Sequence, residues 1–171
     1  MALRTLYLLR HAKSSWARPL LRDHDRPLAR RGRDASRVIA DYIASSHPLP
    51  DLVITSTAAR TLETARLVIA RWEPKPPVVE DASLYLASPG DMLKCIHAVV
   101  DAPVLMLIGH NPGTAELGHL LAGNRQLFGS KYPTAGLAVF TFDIDDWALA
   151  EPGAGNLQAF VQPRGLIARS A

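Results

Sequence analysis

Cysteine and long apolar runs are both scarce in this sequence. The chain contains one cysteine, Cys95, which excludes an internal disulfide and a metal site built from several thiolates. No apolar run approaches the roughly 20 residues of a membrane span. The apolar residues 6–9 are followed at once by Arg10, so this segment is too short for a signal peptide. We therefore expect a cytoplasmic protein that has no membrane partner.

A strong excess of one charge is also missing. The 171 residues include 19 Lys and Arg against 16 Asp and Glu, which gives a formal net charge of +3. This small and dispersed excess suits an anionic ligand, but it argues against a nucleic-acid partner. The composition, 48% hydrophobic and 20% charged, is typical of a globular protein. With no internal repeat and no clear linker, the length predicts one domain spanning residues 1–171.

Hydrophobic periodicity predicts that strands and helices alternate along the chain. Short apolar runs indicate buried strands at residues 5–9, 52–54, 78–79, 104–108, 137–142 and 157–161. Apolar residues at helical spacing predict helices over residues 29–46, 58–72, 89–100 and 114–121. This alternation predicts an α/β fold of three layers, αβα, with a mostly parallel sheet flanked by helices. The last two strands have no helix between them, which favours an antiparallel pair.

Polar residues that suit a phosphoryl group follow three of the predicted strands. They are Arg10, His11 and Lys13 after the first strand, Ser56, Thr57 and Arg60 after the second, and His110 and Asn111 after the strand at 104–108. Open α/β sheets bind ligands outside the carboxyl ends of their strands, so we expect these residues on one rim. Their separation along the chain is large, but the topology brings them together.

The chemistry of this set is that of phosphate binding and transfer. Guanidinium groups bind phosphate oxygens in a bidentate manner. One neutral imidazole can attack phosphorus, and a second can stabilise the charge that develops on oxygen. Each residue alone also has a structural explanation, as a solvated pair, a surface charge or a turn; their joint position favours function. His24, His47, His97 and His119 lack such a position, and we interpret them as structural.

Five segments, taken in order, resemble a known family. They are residues 8–14, residues 25–28 with 31–32, residues 55–61 with 64–65, residues 109–113 and residues 133–136. Together they resemble the histidine phosphatase superfamily, which includes the phosphoglycerate mutases, and more closely its phosphohistidine phosphatase (SixA-like) branch. The similarity spans nearly the whole chain. Arg-His alone is a weak motif, whereas the ordered set is specific.

The resemblance implies a phosphoglycerate mutase-like fold and a phosphatase. His11 is expected to be the nucleophile, with Arg10, Arg60 and His110 as the rest of the phosphate pocket. We also expect Lys13, Ser14 and Asn111 to contact the substrate. His11 would form a phosphohistidine intermediate that water then hydrolyses. No metal ion or cofactor is implied, because arginine and imidazolium supply the positive charge.

Two departures from mutase-like members narrow the expected substrate. The acidic proton-donor motif in the middle of the chain is absent, although Glu80 and Asp81 occupy that region, and Ala17 stands where such members tend to have Asn. A phosphoramidate needs such a donor less than an ester does, because imidazole leaves more readily than an alkoxide.

The expected cap over the site is also minimal. Only about 30 residues separate Trp72 from Val104, which predicts an open rim suited to a phosphohistidine on a protein surface. The expected partner is therefore a protein that carries phosphohistidine, such as a phosphotransfer domain or a carrier protein. A phosphomonoesterase acting on a small alcohol phosphate and a non-catalytic phosphoprotein-binding module remain the alternatives.

Overall fold

A computed structural model describes residues 2–124, 128 and 131–170, and within them the chain forms six strands and five α-helices. The strands are β1 (Leu3–Arg10), β2 (Leu52–Thr55), β3 (Val78–Glu80), β4 (Val104–Gly109), β5 (Leu137–Asp143) and β6 (Asn156–Val161). The helices are α1 (Arg30–Ser46), α2 (Ala59–Ile69), α3 (Pro89–His97), α4 (Gly113–Leu121) and α5 (Pro163–Ser170). Among the helices in this part of the chain, none has both the length and the apolarity of a membrane span.

The six strands form one mixed sheet in the order β3-β2-β4-β1-β5-β6. The pairs β3–β2, β2–β4 and β4–β1 are parallel, whereas β5 runs antiparallel to β1 and β6 antiparallel to β5. This arrangement confirms the mostly parallel sheet and the antiparallel pair that the sequence predicts for the last two strands. The parallel half therefore contains β1, β2 and β4, the three strands that precede the predicted site residues.

Alternating side chains of the central strands pack into two separate cores. On β1, Leu6 and Leu8 contribute to the core that contains residues of α3 and α4, and Tyr7 and Leu9 contribute to the core that contains residues of α1 and α2. All four side chains are fully buried. Successive residues of a strand point to opposite faces of the sheet, so a continuous apolar run is required where both faces are covered. The result is the predicted three-layer αβα architecture.

The helices end earlier than periodicity predicts in two places. Helix α2 ends at Ile69, yet Trp72 is buried beyond it and donates from its indole N–H to the Ala40 carbonyl at 3.0 Å. Because Trp72 is buried although it lies beyond the helix, the apolar periodicity of the sequence continues past Ile69 and predicts a helix that is too long. Helix α3 ends at His97, and Val100, included in the prediction, is highly exposed.

One helix was not predicted from the sequence. Helix α5 begins at Pro163, which suits the first turn of a helix, but it contains Gly165. Its short segment has no clear apolar stripe, because Ile167 is exposed and Leu166 is half-buried. Helix α5 packs beside α1 on one face of the sheet.

Candidate active site

The register of the parallel strands brings three distant segments to one edge of the sheet. Arg10, the last residue of β1, pairs with Gly109 on β4, and Thr55 on β2 pairs with Ile108. The backbone continues this alignment one step further, where the His11 N–H donates to the Gly109 carbonyl at 3.1 Å. The residues that follow β1, β2 and β4 therefore meet, as the sequence predicted for strand ends of this kind.

The His11 side chain is held by the backbone on one side and by an arginine on the other. Its Nδ1 atom lies 2.7 Å from the Ala12 carbonyl oxygen, which only accepts hydrogen bonds, so this contact puts the ring proton on Nδ1. Arg60 Nε lies 3.3 Å from Nε2 and donates to it. The Thr64 hydroxyl accepts from the Ala12 N–H at 3.1 Å and fixes this backbone. Nε2 of neutral His11 therefore carries a lone pair.

Burial also keeps His11 uncharged. The residue is only 7% exposed. Burial lowers the pKa of His11 to about 4, and the charges of Arg60 and Arg10 act in the same direction, opposed by the Ala12 hydrogen bond and by Asp23. At neutral pH the imidazole is therefore neutral, which is the form a nucleophilic histidine requires.

Arg60 connects the two histidines to an acidic residue. It lies in the first turn of α2, buried, and its Nη2 is 3.2 Å from Nδ1 of His110. The same guanidinium donates to the backbone carbonyl of Asp23 at 2.7 Å and to its carboxylate at 2.9 Å. One planar cation thus contacts both imidazoles, as the fork geometry of arginine allows.

His110 lies opposite His11 and is also neutral. The two ring centroids are 5.2 Å apart, and His110 Nε2 is 2.8 Å from the Ser56 hydroxyl. Because Nδ1 accepts from Arg60, Nε2 carries the ring proton in the neutral form. Burial lowers the pKa of His110 to about 3, with the charge of Arg60 as the next cause. An anion bound between the rings would offset these effects and favour the imidazolium.

The side chains of Arg10 and Asn111 donate to the same backbone carbonyl, in the segment that precedes β5. Arg10 Nη1 and Asn111 Nδ2 donate to the Tyr132 carbonyl at 2.8 and 3.0 Å. Arg10 Nε is buried without a hydrogen-bond partner among the described residues. Burial lowers the pKa of Arg10, and the charge of Arg60 lowers it further. A buried guanidinium donor near a second cation is an environment that an anion would stabilise.

Three residues near the cluster were not predicted from the sequence. Tyr85 donates to the Asp23 carboxylate at 2.6 Å, and its ring stands at 89° to that of His110 with centroids 5.4 Å apart. His24, interpreted from the sequence as structural, packs against Tyr85 and contacts Thr57. All three side chains come from loops or short 3-10 turns rather than strand ends. No periodic or strand-end signal in the sequence marks them.

Lys13 and Ser14 lie outside the cluster formed by Arg10, His11, Arg60 and His110. The Lys13 carbonyl accepts from the Ala29 N–H at 2.8 Å, and Lys13 is one of the residues that line a groove near α1 and α5. Ser14 pairs through its backbone with Leu28 in an isolated antiparallel bridge. Neither side chain forms a hydrogen bond with any of the four cluster residues.

The site as a whole combines positively charged guanidinium groups with the neutral imidazole of His11. Two guanidinium groups and His110 can bind oxygens of a phosphoryl group while His11 Nε2 lies among them. Within the described residues, no group of three or more His, Cys, Asp or Glu side chains is arranged to hold a metal ion. Arg10 and Arg60 contribute positive charge at this site.

Comparison with known proteins assigns the chain to a family. Residues 6–92 match the sequence profile of the histidine phosphatase superfamily (branch 1). An uncharacterised protein of Mycobacterium tuberculosis is 34% identical over 164 residues, covering 91% of this chain and 100% of that protein. The chain belongs to the histidine phosphatase superfamily.

Solved structures narrow this assignment to one branch. A protein assigned as the phosphohistidine phosphatase SixA of Agrobacterium tumefaciens is similar with a TM-score of 0.80 and 33% identity, covering 94% of this chain and 98% of that one. A SixA assignment from Nakamurella multipartitia gives a TM-score of 0.83 at 27% identity, covering 95% and 98% of the two chains. These similarities confirm the SixA-like branch and the phosphoglycerate mutase-like fold that the motifs predict.

Proposed function

We propose that this chain is a phosphohistidine phosphatase that acts on a histidine displayed by another protein. The observation that carries the proposal is the state of His11. Its Nδ1 hydrogen is directed to the Ala12 carbonyl, so the lone pair lies on Nε2, beside Arg60. Membership of the histidine phosphatase superfamily and similarity to proteins assigned as SixA support the same activity.

The proposed reaction has two displacements at phosphorus. In the first, the lone pair of His11 Nε2 forms a bond to phosphorus while the P–N bond to the substrate imidazole breaks, and that imidazole takes a proton from solvent. In the second, water attacks phosphorus, the P–Nε2 bond breaks, and inorganic phosphate is released. Arg10, Arg60 and His110 stabilise the oxygens in both steps.

The acidic residues in the middle of the chain, and Asp23 beside the cluster, are poor proton donors for an ester substrate. The Asp81 carboxylate accepts from the Ser83 N–H at 2.8 Å and its hydroxyl at 2.6 Å, and these contacts lower the Asp81 pKa. Hydrogen bonds from Tyr85 and Arg60 lower the pKa of Asp23 in the same way. Glu80 lies in β3 and lines a separate cavity against α2. An unassisted leaving group therefore fits this site best, and imidazole is such a group.

The short connection before β4 supports a large substrate. Residues 70–103 form β3 at the edge of the sheet, a short 3-10 turn and α3, which packs beside α4. We infer that the chain works as one domain over residues 1–171 in the cytoplasm, with a phosphohistidine-bearing protein as its partner. Lys13, Ser14 and Asn111 would contact that protein or its phosphoryl group.

A substrate panel with a matched variant tests the proposal. Purified wild-type protein, His11→Ala and the control His47→Ala are compared on phosphohistidine, phosphotyrosine and a sugar phosphate. His47 contacts the Tyr42 hydroxyl at the end of α1 and controls for loss of a histidine. We expect wild type and His47→Ala to release phosphate from phosphohistidine, and His11→Ala to fold normally without turnover.

Two results would overturn different parts of this proposal. Unchanged turnover in His11→Ala would remove His11 as the nucleophile. Efficient turnover of the sugar phosphate with none of phosphohistidine would favour a phosphomonoesterase. Phosphate binding without turnover of any substrate would instead indicate a non-catalytic binding module.

A further inference from the structure

A groove of about 910 Å³ between α1 and α5 is lined by several basic residues. Lys13, Arg30, Arg31 and Arg164 all contribute to it, and none of them forms an ion pair with another described residue. Asp34 also lines the groove, but Arg37 pairs with it at 3.0 Å. The groove therefore presents a local positive charge that the chain leaves largely unneutralised, although the net charge of the whole protein is only +3.

Apolar side chains lie among these cations. Ile167 on α5 is 57% exposed and lines the groove together with Ala35, Pro133 and Pro163. An exposed Ile surrounded by basic residues matches the mixed character of protein interfaces, which combine apolar contacts with complementary charge. The complementary ligand is a polypeptide segment that carries both acidic and apolar side chains.

The groove begins at the backbone that positions the candidate nucleophile. Lys13 is two residues from His11 in sequence. Thr134, which also lines the groove, precedes Ala135, whose N–H donates to the His11 carbonyl at 3.0 Å. A segment bound in the groove would therefore lie next to the cluster of Arg10, His11, Arg60 and His110.

We propose that this groove binds an acidic, partly apolar segment of the substrate protein, next to its phosphohistidine. The proposal rests on the proposed phosphohistidine phosphatase function and adds the surface that selects the partner. Long-range attraction between the four cations and acidic side chains raises the encounter rate, whereas the pocket of His11 carries out the chemistry. Discrimination between partners would then depend on residues that do not touch phosphorus.

Two synthetic phosphohistidine peptides of equal length test this proposal. They carry either glutamate or glutamine at the same positions beside the phosphohistidine, and free phosphohistidine serves as the small substrate. Wild type is compared with the double variant Arg30→Glu/Arg164→Glu, its conservative counterpart Arg30→Lys/Arg164→Lys, and the control Arg66→Glu. Arg66 is an exposed residue of α2 that lines a different cavity. Both groove positions lie in the first turn of a helix, where glutamate is favourable, so the reversal should not impair folding.

We expect wild type to favour the glutamate peptide by about tenfold in kcat/KM at low salt, and added salt to reduce this preference. The charge-reversed variant should lose the preference while turning over free phosphohistidine as wild type does. The variant Arg30→Lys/Arg164→Lys and the control Arg66→Glu should keep the preference for the glutamate peptide.

Distinct results would contradict the docking surface and the function. Equal kcat/KM for both peptides in wild type, with all substrates turned over, would overturn the groove and leave the phosphatase function intact. Failure of wild type on all three substrates would overturn the function itself. Tight binding of a duplex oligonucleotide, with no preference for the glutamate peptide, would overturn the proposal in favour of a nucleic-acid ligand.

Discussion

Nε of Arg60 lies 3.3 Å from Nε2 of His11, so a guanidinium N–H donates to the atom proposed to attack phosphorus. The same guanidinium reaches His110 at 3.2 Å. This geometry explains why both imidazoles are neutral without a ligand, since burial and a shared cation lower the pKa of each. A phosphoryl dianion would draw Arg60 and His110 towards its oxygens. The attacking nitrogen would then face phosphorus instead of a proton donor.

The first prediction concerns which nitrogen of His11 is phosphorylated. Nδ1 lies 2.7 Å from the Ala12 carbonyl and carries the ring proton, so we expect the phosphoryl group on Nε2. Rapid quenching of the reaction under alkaline conditions, followed by ¹⁵N and ³¹P NMR of the isolated peptide, distinguishes the two isomers. Detection of the Nδ1 isomer would mean that the Ala12 contact breaks before attack.

The second prediction concerns Arg60. We expect Arg60→Lys to lower kcat/KM for phosphohistidine by about 100-fold, close to the effect expected of Arg60→Ala. An ammonium group cannot contact His11, His110 and Asp23 at the same time, as the planar fork of Arg60 does. Steady-state kinetics measure the loss, and circular dichroism checks the fold. Arg66→Lys, an exposed change on the same helix, is the control. Near-complete activity in Arg60→Lys would show that charge alone is sufficient.

The strand ends explain why much of the cluster could be predicted from the sequence. Arg10, Arg60 and His110 belong to segments that follow parallel strands, and parallel strands end at one edge of a sheet. Apolar runs identify such strands without knowledge of the register. The family resemblance then assigned roles to these residues, which strand-end geometry alone does not do.

The residues that were missed lie where the sequence carries little local information. Asp23 and Tyr85 contact each other across 62 positions, from two short 3-10 turns, because the packing of their loops brings them together. Lys13 was expected as a substrate contact because it follows the first strand, and it lines the groove between α1 and α5; its contact with substrate stays a prediction.

The third prediction is a loss of stability under mildly acidic conditions. Folding lowers the pKa of His11 from 6.5 to about 4 and that of His110 from 6.5 to about 3. At a pH between the unfolded and folded pKa values of each histidine, the unfolded chain binds a proton that the folded chain does not. The free energy of unfolding therefore falls as the pH drops below 6.5. Above about pH 7 both histidines are neutral in the folded and unfolded states, so they do not make the free energy of unfolding depend on pH.

Urea denaturation at a series of pH values measures this effect. The double variant His11→Asn/His110→Gln removes both titrating groups, so its stability should decrease less than that of wild type between about pH 7 and pH 5. The control His47→Ala keeps both groups but removes a third histidine whose pKa burial lowers, so its pH dependence should be closer to that of wild type than that of the double variant is. Identical slopes in wild type and the double variant would mean that neither buried histidine resists protonation.

The fourth prediction compares two helical glycines. A Cβ atom at Gly32, in the first turn of α1, would lie 2.3 Å from the Lys13 carbonyl oxygen, whereas one at Gly90 in α3 meets nothing closer than the Ser88 hydroxyl at 3.8 Å. Alanine is the better helix former by about 1 kcal/mol, so Gly90→Ala should be neutral or stabilising. Gly32→Ala must displace the backbone that follows His11, so we expect a loss of about 2 kcal/mol together with reduced kcat/KM. Urea denaturation measures the free energy of unfolding of each variant, and steady-state kinetics measure kcat/KM. A stabilised, fully active Gly32→Ala would show that the close approach of α1 to Lys13 is not required.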